Sequence, residues 1–464
     1  MAIQKPNDIA VIYNDTKINY KKLDEMSNSL GHLLRMKNVE RNDIIPIITD
    51  RSPSFIVSTL AISKAGGAFL PIDKNLPDDR ISYILSEVSP KLVLCNCDIS
   101  EIDIKIREQY TLYDVNNHDY NENITKLDNI NEVQDTCYVL FTSGTTGKPK
   151  GTILTHYNLY NYVKRYPKKS NSLYSLMKTN NIQNVLGITN FTFDIYHNEI
   201  TYSLCHGLTI VLVSQELSEN IQELSQYIMK NSVDFINTTP TRFELFMENE
   251  LFRKAMKHIK TIFLLGEKLS YTLCEEIHKY SNSNIYDGYG PTECTVICSY
   301  KHITNNNTSI GKPITNVCVY ILDNELKPVP IGVEGEIYIG GAGVGQGYIN
   351  RKELTKEKFV KSPFIKDTLF SNNIYSTGDI GKWNEEGEII YIGRNDFQVK
   401  INGQRIELSE IENTIKLYPD IEYVVVVHTK DTIKNSQYLI CYYKTKESGN
   451  GTSIEDEIKN ITGN

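Results

Sequence analysis

From Tyr20 to Lys37 the apolar residues Leu23, Met26, Leu30, Leu33 and Leu34 recur at helical spacing among polar neighbours, which predicts one amphipathic helix. Short apolar runs follow at Ile44 to Ile48, Leu92 to Leu94, Tyr138 to Phe141, Leu208 to Val213 and Ile262 to Leu265, with helical stretches or turns between them. Strands alternating with helices in this way predict mostly parallel α/β layers. Between about Ile310 and Ile392 the texture becomes β-rich, with Glu336-Ile-Tyr-Ile-Gly and Ile389-Ile-Tyr-Ile-Gly bounded by glycines. A small barrel-like sheet closing the large domain is expected there. After Arg394 the pattern is α+β: Ser409 and Glu412 have the spacing of a capping box, and Tyr423 to Thr429 and Tyr438 to Lys444 read as strands. The expected class is α/β, with a large domain over residues 1–395 and a small, truncated α+β domain over 396–464.

Size agrees with this division. At 464 residues the chain exceeds what one hydrophobic core usually supports, and 40% hydrophobic with 23% charged residues is an ordinary globular composition. A net charge of -8 argues against nucleic acid or an anionic membrane as partner. No apolar stretch approaches the roughly 18 residues of a spanning helix, and Met1 to Pro6 lacks a signal-peptide core, so a cytoplasmic chain is expected. Nine cysteines, an odd number without zinc-like spacing, are expected to be free thiols rather than metal ligands.

Four stretches carry candidate chemistry. Residues 141 to 151 read FTSGTTGKPKG, a Gly/Ser/Thr/Lys loop directly after an apolar run. Placed between that strand and a helix starting at Thr155 or His156, it can offer N–H groups and hydroxyls to phosphate oxygens. It is not a Walker loop, because Pro149 stands where Ser or Thr must reach Mg²⁺. In Asp287-Gly-Tyr-Gly-Pro-Thr-Glu293, Tyr289 can stack on a base, Thr292 can hold a phosphate oxygen and Glu293 can ligate Mg²⁺. In Tyr375-Ser-Thr-Gly-Asp379 a carboxylate at a turn after a strand can bind a ribose diol. Gly393 to Lys400 crosses the change of texture and carries both charge signs.

In this order and at these separations the four stretches resemble the core motifs of adenylate-forming enzymes, the superfamily of acyl-CoA synthetases, luciferases and peptide-synthetase adenylation domains. The resemblance runs from about Asp8 to Tyr443. Lys64-Ala-Gly-Gly-Ala-Phe-Leu-Pro-Ile-Asp73, the Gly-rich stretch Gly335 to Tyr348 and Gly403-Gln-Arg-Ile-Glu-Leu-Ser-Glu-Ile-Glu412 are most similar to nonribosomal peptide synthetase adenylation domains. Such domains make an aminoacyl adenylate from ATP and then pass the acyl group to a carrier-protein phosphopantetheine thiol.

The resemblance implies a role for each matching residue. Thr142, Ser143, Gly144, Thr145, Thr146, Gly147 and Lys148 cover the β- and γ-phosphates, with Thr145 and Lys148 taking part in catalysis. Thr292 and Glu293 complete that set, and Glu293 holds Mg²⁺. Asp287, Gly288 and Tyr289 face the adenine, while Asp379, Tyr391 and Arg394 hold the ribose side. Asp396 matches the hinge of the small domain, and Lys400 a residue of the thiolation state. Asp194 falls where a carboxylate meets the substrate α-ammonium. Ile195, Asn198, Asn237, Phe263, Leu265, Gly288, Val296 and Ile297 match the rest of the amino-acid pocket. No counter-charge stands among them, so an uncharged α-amino acid is expected, because an unpaired buried charge costs several kcal/mol on a rough scale. Leu265 should shorten the cavity, and the two asparagines can hydrogen-bond a polar side chain.

Two departures qualify that expectation. The chain stops without the closing Asn-Gly-Lys motif of the family, whose lysine stabilises transition-state charge. Such a loss typically costs on the order of 10² to 10³ in rate, so slow adenylation is expected. The start is also abrupt, as for a trimmed piece of a larger synthetase, with a natural stand-alone chain as the alternative. The expected partners are an amino acid, a peptidyl carrier protein and neighbouring synthetase domains. A D-alanine–carrier-protein ligase is the rival within the enzyme class, and a catalytically impaired nucleotide-binding scaffold the rival outside it.

Overall fold

The computed structural model describes the chain except for residues 145–147, 168–169, 305–308, 365–370, 397, 402–403, 432–435 and 447–464. Two large sheets take up the apolar runs. In the seven-stranded sheet the order is Gly347–Tyr348, Lys150–Thr155, Thr136–Thr142, Ala68–Asp73, Ile44–Thr49, Val93–Cys95 and Leu112–Asp114, and from Thr136–Thr142 onward neighbours run parallel. In the nine-stranded sheet Asn284–Tyr289, Thr261–Leu265, Phe235–Thr238, Asn184–Gly187, Thr209–Leu212 and Ile9–Tyr13 form a parallel block with antiparallel edges.

Period-two alternation sends successive side chains of these strands into different cores. Along Ile44–Thr49, Ile45 and Ile47 pack with helices Tyr20–Met36 and Pro53–Ala65, whereas Ile48 packs with helix Asp78–Val88. Along Thr209–Leu212, Ile210 and Leu212 enter the first of these cores and Val211 a third, beneath helix Ile221–Lys230. One core thus draws on both sheets, with Tyr20–Met36 and Pro53–Ala65 between them. Strands buried on both faces read as continuous apolar runs, which is how they stand in the sequence. Helix Tyr20–Met36 starts where its pattern predicts, because Asn19 accepts the Lys22 N–H at 2.8 Å as an N-cap.

The β-rich stretch is a five-stranded antiparallel sheet of Val317–Leu322, Gly335–Gly341, Ser371–Trp383, Phe359–Lys361 and Ile389–Arg394. Beyond it lie the hairpin Gln398–Ile401/Gln404–Glu407, helix Leu408–Lys416 and the hairpin Ile421–Asp431/Ser436–Thr445. The helix and second hairpin share a small core of Leu408, Ile415, Ile421, Val424 and Val426. The expected capping box does not form. The helix begins at Leu408 without a side-chain cap, and Glu412 Oε1 instead accepts the Val426 N–H at 2.9 Å, tying the helix to the hairpin.

All nine cysteines are free thiols. No helix among the described residues is long and apolar enough to cross a membrane.

Candidate active site

Parallel strands linked by helices bring their C-terminal ends to one edge, where open α/β sheets form ligand crevices. Thr142, Asn237, Leu265 and Tyr289 each lie at or next to such an end. The loop after Thr142 does not lead into a helix as expected. It turns the chain back into strand Lys150–Thr155, with Thr142 opposite Lys150, and helix His156–Val163 starts only afterwards. The Thr152-Ile-Leu-Thr155 run favours extended backbone, and Thr155 with Asn158 supplies the capping box one strand later. The helix terminus expected beside this loop therefore lies one strand away from it. The Thr142 hydroxyl is buried without a hydrogen-bond partner, and Lys148 lies 5.7 Å over the Tyr83 ring. A Cβ on Gly144 would stand 2.1 Å from the Lys148 carbonyl oxygen, so the turn requires glycine there. Thr145, Thr146 and Gly147 lie outside the described residues.

Beneath this loop Glu293 is completely buried. Its Oε1 accepts the Tyr348 hydroxyl at 2.7 Å and lies 3.5 Å from Lys150 Nζ, which is itself 4% exposed and 4.6 Å over the Tyr348 ring. Lys150 is therefore a fixed partner of Glu293 rather than a loose surface charge. Among the described residues no group of three or more His, Cys, Asp or Glu can hold a metal ion. A single hard carboxylate still fits Mg²⁺, which draws its other ligands from phosphate and water.

A cavity of about 1200 Å³ is lined among others by Asp287, Gly288, Tyr289, Asp379, Tyr391, Arg394, Asp396 and Lys400. Asp379 accepts the Tyr289 hydroxyl at 2.5 Å on one oxygen and the Arg394 Nη1–H at 2.7 Å on the other. Arg394 also grips both oxygens of Asp396 at 2.7 Å. Asp379 was expected at a turn; it lies inside strand Ser371–Trp383, paired with Arg394, one residue after Gly378 at φ +74. The turn-like Ser-Thr-Gly composition reflects that single left-handed residue and the bulge that follows. Tyr289 and Tyr391 form one aromatic wall, with centroids 6.3 Å apart. Burial alone pushes the Asp287 carboxyl up to about 8.

Asp194 is buried, and its Oδ2 has no hydrogen-bond partner. Burial first of all pushes this carboxyl up to about 7, against the pull of the Thr292 side chain, the Lys400 charge and the Val296 N–H. Thr295 and Val296 sit at φ 64 and 67, a left-handed pair that β-branched residues rarely adopt. Tyr162, Phe263, Leu265, Val296 and Ile297 pack into one cluster, with Ile195 against it. Asn198 and Asn237 are fully buried behind them. Of the nine residues expected around the amino acid, only Gly288 lines the large cavity; the others are buried or part-buried outside its lining, with Phe263 and Leu265 packed against Gly288.

Sequence reasoning missed Lys150 and Tyr348 beside Glu293, and Glu199 and Tyr162 beside the asparagines. They stand in polar or Gly-rich surroundings in the sequence, so their roles become visible only once distant segments meet.

A model of the family described as AMP-binding enzyme matches residues 2–349. The chain belongs to the AMP-binding enzymes. This AMP-binding enzyme is 36% identical over 450 residues to bacitracin synthase 2 of Bacillus licheniformis, covering 95% of this chain and 16% of that protein. It is equally 36% identical over 464 residues to gramicidin S synthase 2 of Brevibacillus brevis, covering 97% of this chain and 10% of that protein. It therefore spans only a small part of those relatives. Its fold matches NpsA-ThdA, an artificially fused adenylation–PCP di-domain from Klebsiella oxytoca, with TM-score 0.84, 24% identity and coverage of 99% of this chain and 89% of that one. A four-domain nonribosomal peptide synthetase solved with AMP and glycine gives TM-score 0.73 at 28% identity, covering 97% of this chain and 32% of that one. The family resemblance drawn from the sequence motifs stands: this AMP-binding enzyme is a nonribosomal peptide synthetase adenylation domain of the adenylate-forming superfamily.

Proposed function

We propose that the chain activates an uncharged α-amino acid as its aminoacyl adenylate, for transfer to the phosphopantetheine thiol of a peptidyl carrier protein. One observation carries this reading: the buried Asp194 carboxylate keeps an oxygen without a partner, near enough to feel the charge of Lys400, which lines the large cavity. An α-ammonium supplies the charge that this oxygen lacks.

With the ammonium on Asp194, the substrate carboxylate points toward the cavity and attacks the α-phosphorus of ATP, releasing pyrophosphate. The protein forms no covalent bond; it positions the reactants and offsets charge. Thr142, Gly144 and Lys148 bind the departing phosphates, Tyr289 and Tyr391 flank the base, and Asp379 with Arg394 orients the ribose. Asp379 exchanges at least one of its present bonds for the ribose hydroxyls, so nucleotide entry loosens the Tyr289–Asp379–Arg394 set. Glu293 would hold Mg²⁺, which supplies Lewis-acid neutralisation of the phosphates when bound. The Lys400 charge pulls the Asp194 carboxyl down, which supports a role for Lys400 near the acyl group in the second step. We read residues 1–395 as the core, 396–464 as a partial second unit, and Asp396 as the hinge between them.

Calorimetry with ATP and with aminoacyl-sulfamoyl adenosines tests this. Adenylate mimics should bind well beyond the sum expected from their parts, and Asp194→Asn should abolish the gain from the amino group. Equal binding of mimics with and without that amino group would overturn the proposal.

A further inference from the structure

Helix Asp78–Val88 stands against the phosphate loop. Its Ile81, Ile84 and Leu85 pack into a core with Ile48, Leu70 and Val139 of the seven-stranded sheet, while Arg80, Tyr83 and Glu87, spaced i, i+3 and i+7, share an adjoining side. The Tyr83 hydroxyl donates to the Pro149 carbonyl at 3.2 Å, and Lys148 Nζ lies over the Tyr83 ring. Arg351 donates to the same hydroxyl and reaches both Glu87 oxygens at 3.1 Å, which ties the tyrosine in place. The helix therefore holds the Lys148–Pro149 end of the loop.

One turn earlier, Arg80 meets the other end of the loop through a third group. Arg80 Nη1 donates to Glu410 Oε1 at 2.6 Å, and Glu410 Oε2 accepts the Gly144 N–H at 3.3 Å. A guanidinium and a backbone N–H thus converge on one anion. The two donors belong to segments built on the seven-stranded sheet, whereas the anion comes from helix Leu408–Lys416, whose Leu408 and Ile415 share a separate small core with a hairpin. A phosphate group presents anionic oxygens on one centre as a carboxylate does, and the planar guanidinium fork suits both. The pair of donors is therefore a ready phosphate site with a carboxylate standing in it.

We infer that Arg80 is a phosphate-binding residue of this enzyme, and that Glu410 holds the place of a terminal phosphate of ATP, or of the pyrophosphate leaving it, between Arg80 and the Gly144 N–H. The inference rests on the phosphate reading of the loop given above. It adds to that loop a cation from outside its motif, one that brings a rigid fork where Lys148 brings a point charge on a flexible stem.

Arg80→Gln tests it by calorimetry on the full chain with pyrophosphate, ATP and AMP. Pyrophosphate and ATP should bind about 3- to 10-fold more weakly, the scale of one charge-assisted bond at a partly exposed guanidinium. AMP lacks the terminal phosphates and should keep its affinity. A residue that merely anchors Glu410 predicts the other sign: its loss would free the Gly144 N–H, so pyrophosphate binding that is unchanged or tighter in Arg80→Gln would overturn the inference. The same substitution added to Glu410→Gln separates the two roles again. With the competing carboxylate gone, Arg80→Gln should still weaken pyrophosphate by a similar factor, and no further loss in that background contradicts direct contact. Equal weakening of AMP and pyrophosphate would show general damage to the site and remove the assignment. Failure of pyrophosphate and ATP to bind the parent chain while AMP binds would overturn the phosphate reading of the loop itself, and this inference with it.

Discussion

Arg80 and Glu410 are joined by an ion pair of 2.6 Å across 330 positions of sequence, and the second Glu410 oxygen accepts the Gly144 N–H of the phosphate loop at 3.3 Å. A carboxylate from helix Leu408–Lys416 thus occupies a donor that, on the proposed reading, a nucleotide phosphate would take. On that reading the two anions compete. Glu410→Gln should therefore tighten pyrophosphate and ATP by about 2- to 5-fold, the scale of one partly exposed pair, and the gain should shrink in high salt. Calorimetry at two ionic strengths reads it; unchanged or weaker binding contradicts the competition.

The Asp194 carboxyl makes binding depend on pH. It is raised to about 7 by burial, and only its ionised form holds an ammonium. Affinity for an aminoacyl-sulfamoyl adenosine should climb as pH rises through about 7 and level off above it. Folding responds with the opposite sign. A carboxyl whose folded value exceeds its ordinary 3.8 keeps its proton longer in the folded chain, so stability falls as pH rises from 3.8 through about 7. Asp194→Asn should remove the binding slope and only its own share of the stability slope, because Asp287, raised to about 8, keeps a slope of the same sign; a mimic affinity that stays flat between pH 6 and 8 in the parent chain rules out this role.

Lys150 and Glu293 share one buried space, 4% and 0% exposed. Removing the cation alone strands a carboxylate away from water. Lys150→Met should cost about 3–5 kcal/mol in urea unfolding, as for other half-broken buried pairs. Glu293→Gln in the same background should recover most of it, and a double mutant no better than the single one would contradict the coupling.

Gly144 admits no side chain, because the Lys148 carbonyl oxygen already stands where Cβ would go. Gly144→Ala must displace the loop by about an ångström or more. Misplacement on that scale can cost on the order of 10² in rate, so pyrophosphate exchange should drop by about that factor with little change in unfolding midpoint. Exchange within a factor of two of the parent would show that the loop tolerates the shift.

The architecture was legible where burial is two-sided. Runs such as Ile44 to Ile48 and Ile262 to Leu265 face a core on each side, so the sequence displays them without interruption. Strand Lys150–Thr155 escaped notice because Lys150 and Gly151 have the composition of a loop; the antiparallel return is a tertiary fact. Ser409 and Glu412 have the right spacing for a cap, but Glu412 finds a better partner in the Val426 N–H, from a hairpin that local pattern cannot place. Asp194, Asp379 and Glu293 could be singled out by motif. Their partners Thr292, Arg394, Tyr348 and Lys150 come from four separate segments, and only folding sets their distances.

Thr295 and Val296, the two β-branched residues at positive φ, hold the turn whose Val296 N–H helps Asp194. Each such residue costs roughly 1–3 kcal/mol that relaxed alternatives do not. Selection of this chain for heat resistance would favour Gly or Asn at these two positions, and would thereby trade the fixed surroundings of Asp194 for a few degrees of melting temperature.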